Sequence, residues 1–203
     1  VVSFTGSTEV GRTLLESAAR NIVNPAMELG GNAPFIVRQD ADIDAAVEGA
    51  ILAKMRNLGE ACTAANRFLV HDDVFDEFAE KLTAKMGAMK MGNGLEDGVV
   101  VGSLVNKSTL EKVVSLVEDA TSKGAKATTG GKALGGTGYF YPPTVLTDVS
   151  DDADLLKEEI FGPVAALQRY SDDEDLVRRA NDTEYGLVAY LFTRDMPRGL
   201  ALA

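Results

Sequence analysis

Cys62 is the one cysteine and His71 the one histidine among 203 residues. Covalent chemistry in this chain therefore rests on a single thiol, and neither an internal disulfide framework nor a multi-thiolate metal site can form. The thiol stands in "RNLGEACTAANRF", just past Gly59, in a run of small residues before an apolar segment. A turn of small residues lets a substrate or another backbone come close, and it puts the sulfur at an element junction where it is partly exposed. Two roles are open to it: a nucleophile, if the local field favours the thiolate, or an inert small hydrophobe. Carboxylates are the other candidates. Glu28 in "MELGGNAPF" is followed by two glycines, which suits a carboxylate held in a cleft, where burial would raise its pKa toward general-base work near neutrality. A glutamate at a surface strand end is the alternative. Glu158 and Glu159 in "LLKEEIFGPV" read by themselves as a solvated face before a strand broken by Gly162 and Pro163.

These side chains need elements to position them. Apolar stretches such as "VVSFTG", "PFIV", "RFLV", "TVLTDV", "GPVAALQRY" and "LVAYLFT" alternate with segments of helical period. That alternation predicts an α/β fold with a largely parallel sheet. The helices are expected at 42–58 after an Asp-rich start, at 72–89, at about 108–123 with a Ser-Thr-x-Glu start and a stop at Gly124, and at 172–180. Ile43, Ala46, Val47, Ala50, Ile51 and Lys54 fall near one face of the first of them. The glycine-rich "MGNGLEDG" and "TGGKALGGTG" read as connections, because neither follows a strand and opens a helix as a phosphate cradle does.

Charge narrows the partners. With 31 acidic and 20 basic residues the net charge is -11, and no basic block interrupts it, which disfavours nucleic acid and anionic membrane surfaces. No apolar run approaches the roughly 18 residues of a membrane span, so the chain reads as cytoplasmic. It opens in mid-unit with "FTGSTEVGR" and closes on "MPRGLALA", a helix cut in its course, and both ends are expected to be boundaries within a longer chain.

In combination these stretches are more specific than any one of them. "FTGSTEVGR", "ELGG", "GEAC" and "EEIFGPV" in this order, with "GYFYPPTVLTDV" and "NDTEYGLVAYLFT", resemble the aldehyde dehydrogenase superfamily over nearly the whole chain. The resemblance implies the last βα unit of a Rossmann-like cofactor domain at 1–28 and a catalytic domain at 29–203, cut short at its C-terminus. By the same resemblance Cys62 is the nucleophile: its thiolate adds to an aldehyde to give a thiohemiacetal, hydride passes to a nicotinamide, and a thioester remains. Glu28 then activates the water that hydrolyses the thioester. Gly6 and Ser7 fall near the cofactor pyrophosphate, Leu29 within the cofactor site, Glu159 on the nicotinamide ribose and Phe161 beside the nicotinamide. The cofactor is NAD or NADP, since the residues that read the adenosine ribose are expected upstream, as is the asparagine that completes the oxyanion site.

Arg56, six residues before the cysteine, resembles the arginine of succinate-semialdehyde dehydrogenases, where a guanidinium can hold the distal carboxylate of the substrate. As a bare residue it also reads as a helix-end cation complementing the macrodipole. Glu60 stands where the family commonly has Gln and Asn32 where it commonly has Lys, and Ala64 in place of a second cysteine excludes a local disulfide switch. No metal is expected. The parent is expected to be a homo-dimer or homo-tetramer, with a small aldehyde as its partner molecule. Dehydrogenases for glutarate semialdehyde or an uncharged aldehyde stay open. So does a cofactor-independent cysteine hydrolase, whose base could only be His71, and so does a folded piece without turnover that binds cofactor weakly.

Overall fold

Two sheets carry the fold, and the break between them falls beside Glu28. In the computed structural model, which describes residues 1–202, strand β1 (Val2–Thr5) leads through helix α1 (Thr8–Arg20) to strand β2 (Pro25–Glu28). The two strands pair in parallel, Val2 opposite Pro25 and Thr5 opposite Glu28. This is one right-sized βα crossover. Ser7 caps α1 with its hydroxyl, and the backbone N–H of Gly6 donates to the carbonyl of Glu28 at 3.0 Å.

The second sheet begins at β3 (Ala33–Val37) and contains β4 (Ala65–His71), β5 (Lys126–Thr129), β6 (Thr144–Thr147), β7 (Val164–Tyr170) and β8 (Tyr190–Phe192). Its order is β5-β6-β7-β4-β3-β8, parallel throughout except for the antiparallel β5–β6 pair. Strand β4, in the interior of the sheet, is buried at every residue from Ala65 to Val70, as a strand covered on both faces must be. Alternate residues of the sheet feed clusters on its two faces. Phe35, Phe68, Val70 and Leu167 pack under helices α2 (Ile43–Met55) and α3 (Asp72–Gly87), with Phe78 and Leu82 of α3 fully buried on them. Leu146, Val164 and Ala166 pack against α4 (Lys107–Ser122), while Ile36 and Leu69 meet Leu176 of α5 (Asp173–Asn181). A short helix, α6 (Met196–Leu202), follows β8.

The expected largely parallel α/β sheet is present, and two helix boundaries differ. The helix expected over 42–58 stops at Met55, because Asn57, Leu58 and Gly59 adopt φ of 51°, 59° and 75°, a left-handed run that no α-helix continues. The cap of α4 is Asn106, whose Oδ1 accepts from the N–H of Thr109 at 2.9 Å, so Ser108 lies inside the first turn and its hydroxyl donates to that same oxygen.

Candidate active site

Because β3, β4 and β7 run parallel, the segments that enter them arrive at one edge of the sheet. Glu28 to Gly31 precede β3, Gly59 to Cys62 precede β4, and Glu159 to Gly162 precede β7. Facing them are the carboxyl ends of β1 and β2 and the first turn of α1. The space between is a cavity of about 420 Å³ lined by Gly6, Ser7, Glu28, Leu29, Cys62, Glu159 and Phe161, among others. Seven residues singled out in sequence thus share one chamber. Arg56 is not in it. It lines a second cavity, of about 340 Å³, with Leu52, Ala61, Thr63, Tyr190 and Phe192. Ala61 borders both, so the residue before the thiol is the wall between the two spaces.

Tight backbone packing sets the position of Cys62. A Cβ built on Gly31 would stand 2.0 Å from the carbonyl oxygen of Cys62, and one on Gly59 2.3 Å from the carbonyl oxygen of Gly162. Glycine is therefore required at both approaches. The turn is also strained: Asn57 and Leu58 before it, and Phe161 across the cavity with φ of 55°, all occupy the left-handed region. Asn57 repays part of this cost by donating its side-chain N–H to the carbonyl of Glu60 at 2.8 Å. Cys62 itself is partly exposed, as the small-residue turn predicts.

Glu159 is held from below, where Gly31 N–H donates to its Oε1 at 3.0 Å, and its Oε2 would lie 2.7 Å from a Cβ on Gly30. The hydroxyl of Thr8, in the first turn of α1, is buried without a partner close to this point. Glu28 lies at the exposed end of β2, which has only β1 beside it, and borders the cavity at its rim; of the two positions open to it in sequence, this is the surface strand end. Glu60 is set otherwise: burial pushes its carboxyl up, opposed by the N–H of Val105, which donates to Oε1 at 2.9 Å. Asn32 is buried, donates to the carbonyl of Leu156 at 2.9 Å, and its own carbonyl accepts from Arg67 at 3.0 Å, so it braces the start of β3. His71 lies at the far end of β4 from Cys62, about 20 Å away at the rise of a strand. Its ring caps α3 by accepting from Asp73 N–H, which removes the base a cysteine hydrolase needs.

Sequence reasoning missed three features. Lys54, placed only as part of an apolar face, is fully buried with its ammonium on Asn66 Oδ1 at 2.8 Å. Lys112 and Thr109 of α4 line the larger cavity from a helix far along the chain. Tyr190 donates its phenol O–H to the carbonyl of Thr63 at 2.8 Å and so fixes the far side of the cysteine turn. A lysine at a core position was the one signal present for the first; the others depend on the tertiary fold.

The whole chain, residues 1–203, matches the aldehyde dehydrogenase family. The chain belongs to that family. Among its relatives, the succinate-semialdehyde dehydrogenase of Paenarthrobacter nicotinovorans is 52% identical over 202 residues, which is 100% of this chain and 45% of the relative. The glutarate-semialdehyde dehydrogenase of Pseudomonas putida is 51% identical, again over 100% of this chain and 42% of the relative. The crystal structure of succinate-semialdehyde dehydrogenase from Burkholderia pseudomallei superposes with a TM-score of 0.96 at 52% identity, covering 98% of this chain and 42% of that one. The chain therefore spans less than half the length of these aldehyde dehydrogenase relatives. No helix among the described residues is long and apolar enough to cross a membrane.

Proposed function

We propose that the chain is the thiol-bearing part of a longer NAD- or NADP-dependent dehydrogenase that oxidises a small acidic aldehyde, first of all succinate semialdehyde, to the carboxylic acid. The observation that carries this is that Cys62 lines a cavity bordered by Gly6, Ser7, Glu159 and Phe161, while its neighbour Ala61 also borders a second, unlike cavity with Arg56 and apolar walls. Residues 1–28 form the end of the cofactor domain and 29 onward the catalytic domain, a division supported by the break between the two sheets at Glu28.

The larger cavity suits a dinucleotide end. Gly6 and Ser7 open the N-terminus of α1, Thr8 has a buried hydroxyl without a partner, and Gly30 leaves room beside the Glu159 carboxylate. When bound there, NAD or NADP accepts a hydride. The chain's own residues do the rest. Cys62 Sγ, as the thiolate, forms a bond to the carbonyl carbon of the aldehyde, and the backbone N–H of Cys62 is the donor this chain offers to the oxygen that gains charge. Loss of hydride from that carbon leaves a thioester on Cys62. Glu28, at the rim of the same cavity, takes a proton from water as the water attacks the thioester; the C–S bond breaks and the acid departs.

Substrate choice falls to the second cavity. Leu52, Ala53, Tyr190 and Phe192 give it apolar walls for a short hydrocarbon stem, and Arg56 supplies the cation for a distal carboxylate. Glutarate semialdehyde is the second reading, favoured by the name of the Pseudomonas putida relative. One methylene in such a pocket separates the two by only about 1–3 kcal/mol, so Arg56 serves either acid. The test compares kcat/KM for succinate semialdehyde and butanal in the full-length enzyme and its Arg56→Ala variant. The expected wild-type preference for the acid is about a hundredfold, lost in the variant. Equal use of both aldehydes by the wild type would leave a dehydrogenase without this specificity.

A further inference from the structure

Lys54 is a cation with no place in the chemistry above. Its side chain, in the last turn of α2, is 0% exposed, and Asn66 Oδ1 at 2.8 Å takes one of its three N–H donors. The ammonium nitrogen also lies 3.2 Å from where a Cβ on Gly59 would stand, beside the point where Gly59 approaches Gly162 most closely. That point joins two segments: one runs on for three residues to Cys62, and the other carries Glu159 and Phe161. A buried ammonium is expensive unless it is paired and hydrogen-bonded, so its retention under this junction calls for a reason.

We propose that Lys54 is a positioning residue for the nucleophile: anchored on Asn66, its ammonium fixes the contact between Gly59 and Gly162 and so sets the Cys62 turn against the Glu159 loop. The inference rests on Cys62 being the nucleophile and adds what holds it in place. Burial pushes the Lys54 ammonium down to about 7, opposed by the negative charge of Glu159. Below that pH the cation is present and the junction is held; above it the amine is neutral and the hold weakens. Of the other charged groups on the surrounding segments, Glu60 accepts from Val105 N–H, Glu28 and Lys112 line the larger cavity with Glu159, and Arg56 lines the smaller one.

The single cysteine makes the test direct, since iodoacetamide can report only on Cys62. The rate of alkylation is followed against pH in the chain and in its Lys54→Met and Asn66→Asp variants, with circular dichroism at each pH. In the wild type a step of about threefold or more near pH 7 is expected in addition to the thiol's own titration. Lys54→Met removes that step, and Asn66→Asp, which gives the ammonium a carboxylate partner, moves it upward by about one pH unit. A wild-type profile with the thiol titration alone overturns the proposal, as does a step left in place in either folded variant, or a change by one constant factor at all pH. If Lys54→Met does not fold, the wild-type and Asn66→Asp profiles decide. Turnover by a Cys62→Ser variant of the full-length enzyme would instead sink the dehydrogenase reading, and the alkylation profile would stand apart from it.

Discussion

Gly31 and Cys62 touch so closely that one methyl group separates a working turn from a displaced one. A Cβ at residue 31 would meet the Cys62 carbonyl oxygen at 2.0 Å, well inside contact distance, and neither backbone can give way without moving the sulfur. Gly31→Ala in the full-length enzyme is expected to lower kcat by about a hundredfold while the protein stays folded, because an ångström of misplacement has that effect on an oriented nucleophile. Steady-state kinetics beside a thermal melt would check it, and unchanged kcat would mean that the turn is looser than drawn. At this scale the sequence was informative wherever a motif carried the residue: Cys62, Glu28, Gly6, Ser7, Leu29, Glu159 and Phe161 fall in one cavity. It was silent on Lys54, since an amphipathic pattern treats a lysine stem as part of an apolar face and says nothing of where its ammonium goes. It left Glu28 open between a cleft and a surface strand end, and the β1–β2 pair alone leaves it exposed at the rim.

Elements place those residues through a few polar anchors that no local pattern announces. Asp40, just after β3, accepts from the Thr193 hydroxyl at 2.9 Å and from the N–H groups of Arg194 and Asp195 at 2.8 Å, tying the end of β8 and the start of α6 to the sheet. Burial opposes its charge, yet these donors outweigh burial and hold the carboxyl below its usual range. Asp173 is also held low, first by Arg38, which donates to it at 2.6 Å, and then by Arg198 of α6. Both acids gain in the folded state, so their contribution is full above about pH 4 and is lost as pH falls through the depressed values. Hydrogen exchange is expected to show β8 and α6 opening first on acidification, and Asp40→Ala is expected to cost about 2 kcal/mol of stability at pH 7. Protection in α6 that is indifferent to pH between 5 and 3 would contradict this. The apolar strand segments and the Asp-rich start of α2 were legible in sequence, whereas the end of α2 was not. Asn57 and Gly59 tolerate the left-handed conformation there, and Gly162, over a hundred residues away, packs directly against Gly59, a contact no local pattern announces.

Over the whole molecule, the two sheets oppose the carboxyl ends of β1 and β2 to the amino ends of β3, β4 and β7, and the candidate site occupies the seam. Only the first of these edges follows the usual rule that α/β ligand sites lie beyond the carboxyl ends of strands. Alternation of strands and helices predicts the fold class but cannot say which edge of a sheet will be used. With less than half the length of its relatives, the chain alone is expected to bind NAD or NADP at least about a hundredfold more weakly than the full-length enzyme, a loss of about 2.7 kcal/mol. Calorimetry on both would measure it, and equal affinities would mean that residues 1–28 carry most of the cofactor site. The account depends above all on a covalent acyl intermediate at Cys62. The direct measurement is intact mass and peptide mapping of full-length Glu28→Gln after incubation with succinate semialdehyde and NAD or NADP. One succinyl group on the peptide bearing Cys62 is the predicted result. Continued turnover with no adduct, or an adduct on any other residue, would contradict it.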